Sequence, residues 1–355
     1  MGDSNNLTDQ QMVFLDPFLL DRARIQAGLS LGDLANKSDL NYRTVKKGVF
    51  LQGGLLPANA KAIADTLGCD VLDLLAPCDP RYVLPKSASP WLGEAEWERV
   101  PHHEHGRQAA NGLYYIVCQM RHRHTTGRCG RGKFYCLSWI RHEQKAEMRH
   151  KLTRHADVCA RIARHPHVAL NLSSSPTSTD DGWWIVDEWV GADTLADRLE
   201  SGPWPLDRLP SLLHDVAQGL AALHAVGVIF RELAPSRVLI AEQDGRAVLT
   251  DFELAKLLDG VPSVSDEWPD DPFRAPEVTG HDVTIAADIY SLGRMAAAAI
   301  AGAVPERGSE EAVFLRAKLP KRLLKLLNQS VAGFPDQRPQ ELTPLLKELS
   351  SWAGR

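Results

Sequence analysis

A proline-rich break divides this chain into two stretches with different secondary-structure patterns. Residues 77–96, PCDPRYVLPKSASPWLGEAE, hold four prolines and no sustained periodicity. Proline removes a backbone donor and pushes its predecessor out of the helical region, so the stretch reads as a linker. Upstream the apolar spacing is helical throughout. Downstream it opens with strand-like runs and closes with helices. An α+β chain follows: a small all-α domain at 1–76, a linker at 77–96, a strand-rich part at 97–190 and a helix-rich part at 191–355.

The chain has 355 residues, 44% hydrophobic and 24% charged, enough apolar material for separate cores. No apolar run approaches the roughly 18 residues that span a bilayer. The N-terminus, with Asp3, lacks a signal-peptide pattern, so a cytoplasmic location without a membrane partner is expected. Six cysteines are too few for a disulfide scaffold. The net charge of -5 argues against indiscriminate nucleic-acid binding by the whole chain, while leaving room for a local basic surface.

The first domain reads as four or five short helices. Phe18, Leu19, Leu20 and Ile25 recur at helical spacing before Gly28. Ser30 suits an N-cap, with Asp33 three residues on. Asn41 suits the next cap, and Gly68 ends a helix running from Leu56 to Leu67. The stretch ARIQAGLSLGDLANKSDLNYRTVKK, followed by NAKAIADTLGCDVLDLL, resembles the phage-repressor (Cro/CI, XRE-type) helix-turn-helix domain. That resemblance implies a second helix pinned by Leu34, Ala35 and Val45. It also implies a recognition helix that presents Tyr42, Arg43, Thr44, Lys46 and Lys47 to the DNA major groove, with residues 30–47 as the DNA contact and a homodimer as the assembly. The sequence departs from the pattern at Leu31, where the family often has Gln, and in a long apolar segment from Gly48 to Leu56. Up to residue 78 it carries seven basic residues against nine acidic ones.

The second region holds an ordered series. GLYYIVCQM (112–120), KFYCLSWI (133–140) and WWIVDEWV (183–190) read as strands, and 144–164 and 206–226 as helices. IFRELAPSRVLI (229–240), VLTDFELAKLL (248–258), RAPEV (274–278), DIYSLG (288–293) and DQRP (336–339) follow. The run resembles the two-lobe eukaryotic-type protein kinase fold over about 260 residues, which implies ATP and magnesium as cofactors. Several of the family's phosphotransfer positions carry other residues here. The glycine-rich loop falls near Gly106 to Gly112 with two glycines. The strand-3 lysine maps to Ser138 and its glutamate partner near Ala156. The catalytic-loop triplet maps to Phe230-Arg231-Glu232, the helper lysine to Ala234, and the metal-binding asparagine to Arg237. The metal-binding triplet maps to Asp251-Phe252-Glu253. Scaffold positions keep their type: Glu277 with Arg338, Asp288, and Arg231.

Two functions stand against each other on this pattern, with a third beside them. The main expectation is a DNA-binding regulator whose pseudokinase domain senses a ligand or protein partner. The alternative is an active atypical Ser/Thr kinase. There Glu232 orients the acceptor hydroxyl, Asp251 holds magnesium, Lys133 reaches the phosphates, and Glu188 and Val190 meet the purine. The third is a protein-interaction scaffold within a larger complex or a defence or toxin–antitoxin operon. The stretch RHRHTTGRCGRGK (121–133) reads as a solvated hairpin tip or an anion contact. The nearby cysteines and histidines match no zinc spacing.

Overall fold

The computed structural model describes residues 15, 17–49, 55–74, 96–108, 114–137, 142–162, 164–177, 182–258, 271–279 and 283–353. The linker, apart from Glu96, lies outside them, as does Ser138. The chain forms two compact units. One takes residues 1–128, 132–146 and 175–184; the other takes 129–131, 147–174 and 185–355.

The first unit begins with five helices: α1 (Pro17–Gln26), α2 (Leu31–Lys37), α3 (Tyr42–Val49), α4 (Pro57–Leu67) and α5 (Val71–Leu74). Their ends follow from local chemistry. Ser30 and Asp33 form a reciprocal capping box, with Asp33 N–H donating to Ser30 Oγ at 3.1 Å and Ser30 N–H to Asp33 Oδ2 at 3.0 Å. Asn41 Oδ1 accepts the Arg43 N–H at 2.8 Å. Pro57 starts α4 where a missing N–H does no harm, and Gly68 closes it in the left-handed region at φ 71°. Leu20, Leu34, Val45, Ala60 and Ile63, all fully buried, form the core of this module.

Strands β1 (Trp97–Gln108), β2 (Tyr114–His122), β3 (Cys129–Cys136), β4 (Asn171–Pro176) and β5 (Gly182–Glu188) form a five-stranded sheet in the order β1-β2-β3-β5-β4. β1 and β2 pair antiparallel, from Trp97 opposite His122 to Gln108 opposite Tyr114, with an irregularity between Arg99 and Glu104. The strand β1 was not expected from the sequence. The polar run hides a strand because backbone pairing, not side-chain periodicity, sets it.

The second unit is built on α6 (His142–Arg161), α8 (Leu209–Ala225) and α9 (Ala286–Ala301), with α7 (Leu195–Leu199), α10 (Glu310–Arg316), α11 (Lys321–Ser330) and α12 (Thr343–Ala353) around them. Every residue of α9 from Ala286 to Ala299 is buried, Asp288 and Arg294 among them, which marks a central helix packed on all faces. Two short antiparallel pairs carry the loops that matter: β6 (Val228–Ile229) with β9 (Lys256–Leu257), and β7 (Val238–Ile240) with β8 (Ala247–Leu249).

Candidate active site

The loop after β6 is hung from α9. Asp288 accepts the backbone N–H of Phe230 at 2.9 Å and of Arg231 at 2.7 Å, and contacts His224 Nε2 at 2.7 Å. Arg231 sits at φ 69°, a left-handed conformation that costs a non-glycine residue on the order of 1 kcal/mol. The Asp288 bonds hold it there. Burial draws the Arg231 guanidinium down to about 10, against the pull of Glu232 and Asp288. On the other side of α9, Arg338 donates to both oxygens of Glu277, at 2.6 and 3.0 Å, and stacks on Tyr290 at 4.7 Å. The bidentate fork resists rotation where a lysine would not.

Glu232 follows directly. It is 4% exposed, and its Oε1 has no hydrogen bond; Arg274 Nη2 lies 3.6 Å from it. Burial raises its carboxyl to about 7, although Arg237 and Arg274 pull the other way.

Asp251 lies between β8 and β9, also in the left-handed region at φ 67°. Two buried guanidiniums hold its two oxygens. Arg131 Nη1 is 3.4 Å from Oδ1, and Arg237 Nη1 donates to Oδ2 at 3.0 Å. Thr250 Oγ1 adds a bond to Oδ1 at 3.1 Å. A divalent cation needs open oxygen ligands without competing cations. Here the carboxylate is occupied on both oxygens, and a guanidinium fills the place assigned by resemblance to a metal-binding asparagine. As placed, these residues do not fit magnesium.

Behind Asp251, His155 of α6 lies parallel to Phe252 with ring centroids 5.4 Å apart. Its Nδ1 accepts the Phe252 N–H at 3.2 Å, so the proton resides on Nε2, which donates to Asp187 Oδ1 at 2.8 Å. Asn171 Nδ2 donates to the same oxygen at 3.0 Å. Asp187, an unexpected carboxylate in an apolar strand, is thereby matched. The glutamate partner was expected near Ala156, which is only half-buried; His155 is the α6 residue that faces Asp187. One turn earlier, Lys151 is buried and pairs with Glu147 at 2.8 Å.

Arg131 and Lys133 also correct the sequence reading. Instead of a solvated tip, both are buried within β3, at 1% and 0% exposure, on one face by strand alternation. The C-G-R-G-K alternation was the signal that could have revealed this. Glu188 contacts Arg164 at 2.5 Å and is only half-buried, while Val190 accepts the Glu242 N–H at 2.9 Å through its carbonyl. In the helical module Tyr42 and Arg43 are exposed and Thr44 and Lys46 half-buried; the Lys47 side chain lies outside the described residues. No group of His, Cys, Asp and Glu among the described residues is arranged to hold a metal.

Residues 114–353 match the family described as "Protein kinase domain", more than half of the chain, and the chain belongs to that family. Its sheet-rich and helix-rich parts are the two lobes of that fold. Serine/threonine-protein kinase PkaB of Streptomyces coelicolor is 34% identical over 52% of this chain and 49% of its own length. Serine/threonine-protein kinases PknA of Corynebacterium glutamicum is 31% identical over 48% of this chain and 35% of its own. Serine/threonine-protein kinase pkn2 of Myxococcus xanthus is 30% identical over 50% and 22%. The chain thus spans less than half the length of these relatives.

These matches correct the main sequence reading. Over the matched region the relatives are named as kinases, so a DNA-binding regulator with a pseudokinase domain gives way to the catalytic alternative. The roles in DNA reading and transcription assigned to Tyr42, Arg43, Thr44, Lys46 and Lys47 go with it. The physical reason for the error is specific. Counting replaced residues along the sequence overlooked Arg131, a cation that the fold brings to Asp251. No helix among the described residues is long and apolar enough to cross a membrane.

Proposed function

We propose that this chain is an ATP-dependent serine/threonine protein kinase with an atypical site. One observation carries the reading: Glu232 is a buried carboxylate in the loop held by Asp288, with an Oε1 that makes no hydrogen bond and a proton affinity raised to about 7. A base with that affinity is matched to neutral pH. In the step, the acceptor hydroxyl oxygen bonds to the γ-phosphorus as the bond to the β,γ-bridging oxygen breaks. ADP leaves, and the hydroxyl proton passes to Glu232. Asp251 acts as a positioning residue for Arg131 and Arg237. Glu188 and Val190 are the proposed purine contacts, through their backbone.

A cavity of about 430 Å³ supports an acceptor segment beside this loop. Ala234, Pro235, Ser236, Asp271, Phe273 and Glu200 are among the residues that line it. The test is transfer of labelled phosphate from ATP to a serine/threonine peptide library. Wild-type transfer that drops at least 100-fold in Glu232→Gln supports the reading. Equal label in both proteins, or none in wild type, sinks it.

The same proposal covers the ends of the chain. Residues 1–76 are a helix-turn-helix of the phage-repressor type, supported by the Ser30–Asp33 box and the Leu34, Ala35 and Val45 core, and 97–190 and 191–355 are the two lobes. Ile25, Tyr42 and Leu56, 55%, 49% and 51% exposed, favour self-association through this module. Sedimentation of the full chain tests it; a monomer at all concentrations would rule it out.

A further inference from the structure

The outer face of α11 and the loop that follows it form a groove away from Glu232 and Asp251 in the chain. We infer that this groove is a docking site for an acidic segment of a partner protein, one that carries an apolar side chain among its carboxylates. The inference is independent of the kinase reading, because none of its residues has a part in the proposed transfer.

The first observation is shape. A cavity of about 510 Å³ lies among Lys321, Leu324, Lys325, Asn328, Ala332 and Gln337. That is within the roughly 300 to 1,000 Å³ of ordinary ligand sites. Lys321, Lys325 and Asn328 follow one another at helical spacing and share one face of α11. Leu323 and Leu327, on the opposite face, are buried in the core.

The second is charge. Residues 312–335 hold no acidic residue and five basic ones, Arg316, Lys318, Lys321, Arg322 and Lys325, in a chain of net charge -5. Arg322 lies 3.7 Å from Glu348. Lys321 and Lys325 are exposed, and neither has an ion-pair partner among the described residues. The N-cap of α11, Pro320, makes no side-chain cap, and the first turn holds no acidic residue. Cations at that end oppose the helix dipole, and an incoming carboxylate relieves them.

The third is what the groove asks for beside charge. Asn328 Oδ1 is buried without a hydrogen bond, and a backbone N–H of an entering segment supplies the missing donor. Ala332 and Gln337 bound a loop in which Phe334 is 67% exposed. Arg338 donates to the Ala332 carbonyl at 2.8 Å and the Gly333 carbonyl at 3.2 Å, and Gln340 donates to the Pro335 carbonyl at 2.8 Å. The loop is therefore ordered before a partner arrives, which lowers the entropic cost of docking. Leu324, Ala332 and Phe334 suit an apolar side chain, which a free phosphate lacks. The lysines suit carboxylates on either side of it.

The test is fluorescence anisotropy of the full chain with short labelled peptides rich in Glu and Asp, each holding one Leu or Phe. A matched set carries Lys in place of every acid. The acidic set should bind at low salt and the Lys set should not. Lys321→Glu/Lys325→Glu should weaken the acidic set about tenfold or more and allow the Lys set to bind. Lys321→Gln/Lys325→Gln, which adds no repulsion, should lose most of the same affinity. Phe334→Ser should weaken the acidic set with its salt dependence unchanged. Thermal melts that match wild type show that the variants fold, as their exposed positions require. Equal binding of the two peptide sets, acidic binding unchanged by either lysine pair, or no acidic binding to wild type overturns the inference. Tighter binding to phosphatidylserine vesicles than to any peptide assigns the surface to a membrane and overturns it as well.

Discussion

Arg237 donates to Asp251 across 3.0 Å, where Asp251 is 1% exposed and Arg237 only 6%. The pair joins the loop that carries Glu232 to the turn between β8 and β9. Isolated charges at that depth are strongly unfavourable, so each depends on the other.

Removing one partner therefore exposes the dependence. Arg237→Met removes the donor to Asp251 Oδ2, and should lower unfolding free energy by about 3 kcal/mol. The double variant Arg237→Met/Asp251→Leu should recover much of the loss. Urea unfolding of the three proteins measures both; additive losses in the double variant would contradict the pairing.

Glu232 ties activity to pH. With its carboxyl raised to about 7, the base form appears only as pH rises through 7, so transfer should climb along that limb. Glu232→Gln should flatten the climb and reduce kcat by about 100-fold or more. Stability runs the opposite way. A carboxyl whose folded value lies above its unfolded value of 4.5 holds its proton more tightly when folded. Its contribution is present below pH 4.5 and lost as pH rises towards 7. Above pH 7, Glu232→Gln should be more stable than wild type by roughly 3 kcal/mol, as measured by denaturant midpoint.

Asp288 restrains the left-handed Arg231. Asp288→Asn turns one acceptor into a donor facing an N–H. It should cost about 2 kcal/mol and at least tenfold in transfer rate. Arg231→Gly in the same background should return part of the stability, because glycine adopts φ 69° without strain. Thermal melts and initial rates together separate strain from lost anchoring.

Arg338→Lys should lower stability by about 1 to 2 kcal/mol, because lysine cannot keep both bonds to Glu277 or the stacking on Tyr290. In the helical module, Ser30→Ala removes the acceptor for the Asp33 N–H and should cost about 1 kcal/mol. Hydrogen exchange at the first turn of α2 should speed up while the α9 amides stay protected.

Motif and spacing alone determined much of this molecule. The kinase resemblance carried by RAPEV, DIYSLG and DQRP implied Glu277 with Arg338 and Asp288 under the loop that bears Glu232, and the structure brings these residues together. Ser30, Asp33, Asn41 and Gly68 announced helix ends because capping is local, complete within four residues. Tertiary structure alone decided the site. Arg131 lies 120 residues from Asp251 and His155 lies 32 from Asp187, and no periodicity links such pairs. An arginine beside glycines reads as a loop until a sheet buries it, and an aspartate within an apolar strand has no explanation until a histidine from a helix meets it. Burial changes which charges count: it turned a residue assigned to a solvated tip into one of the two cations on Asp251, and it raised Glu232 into the range of a base.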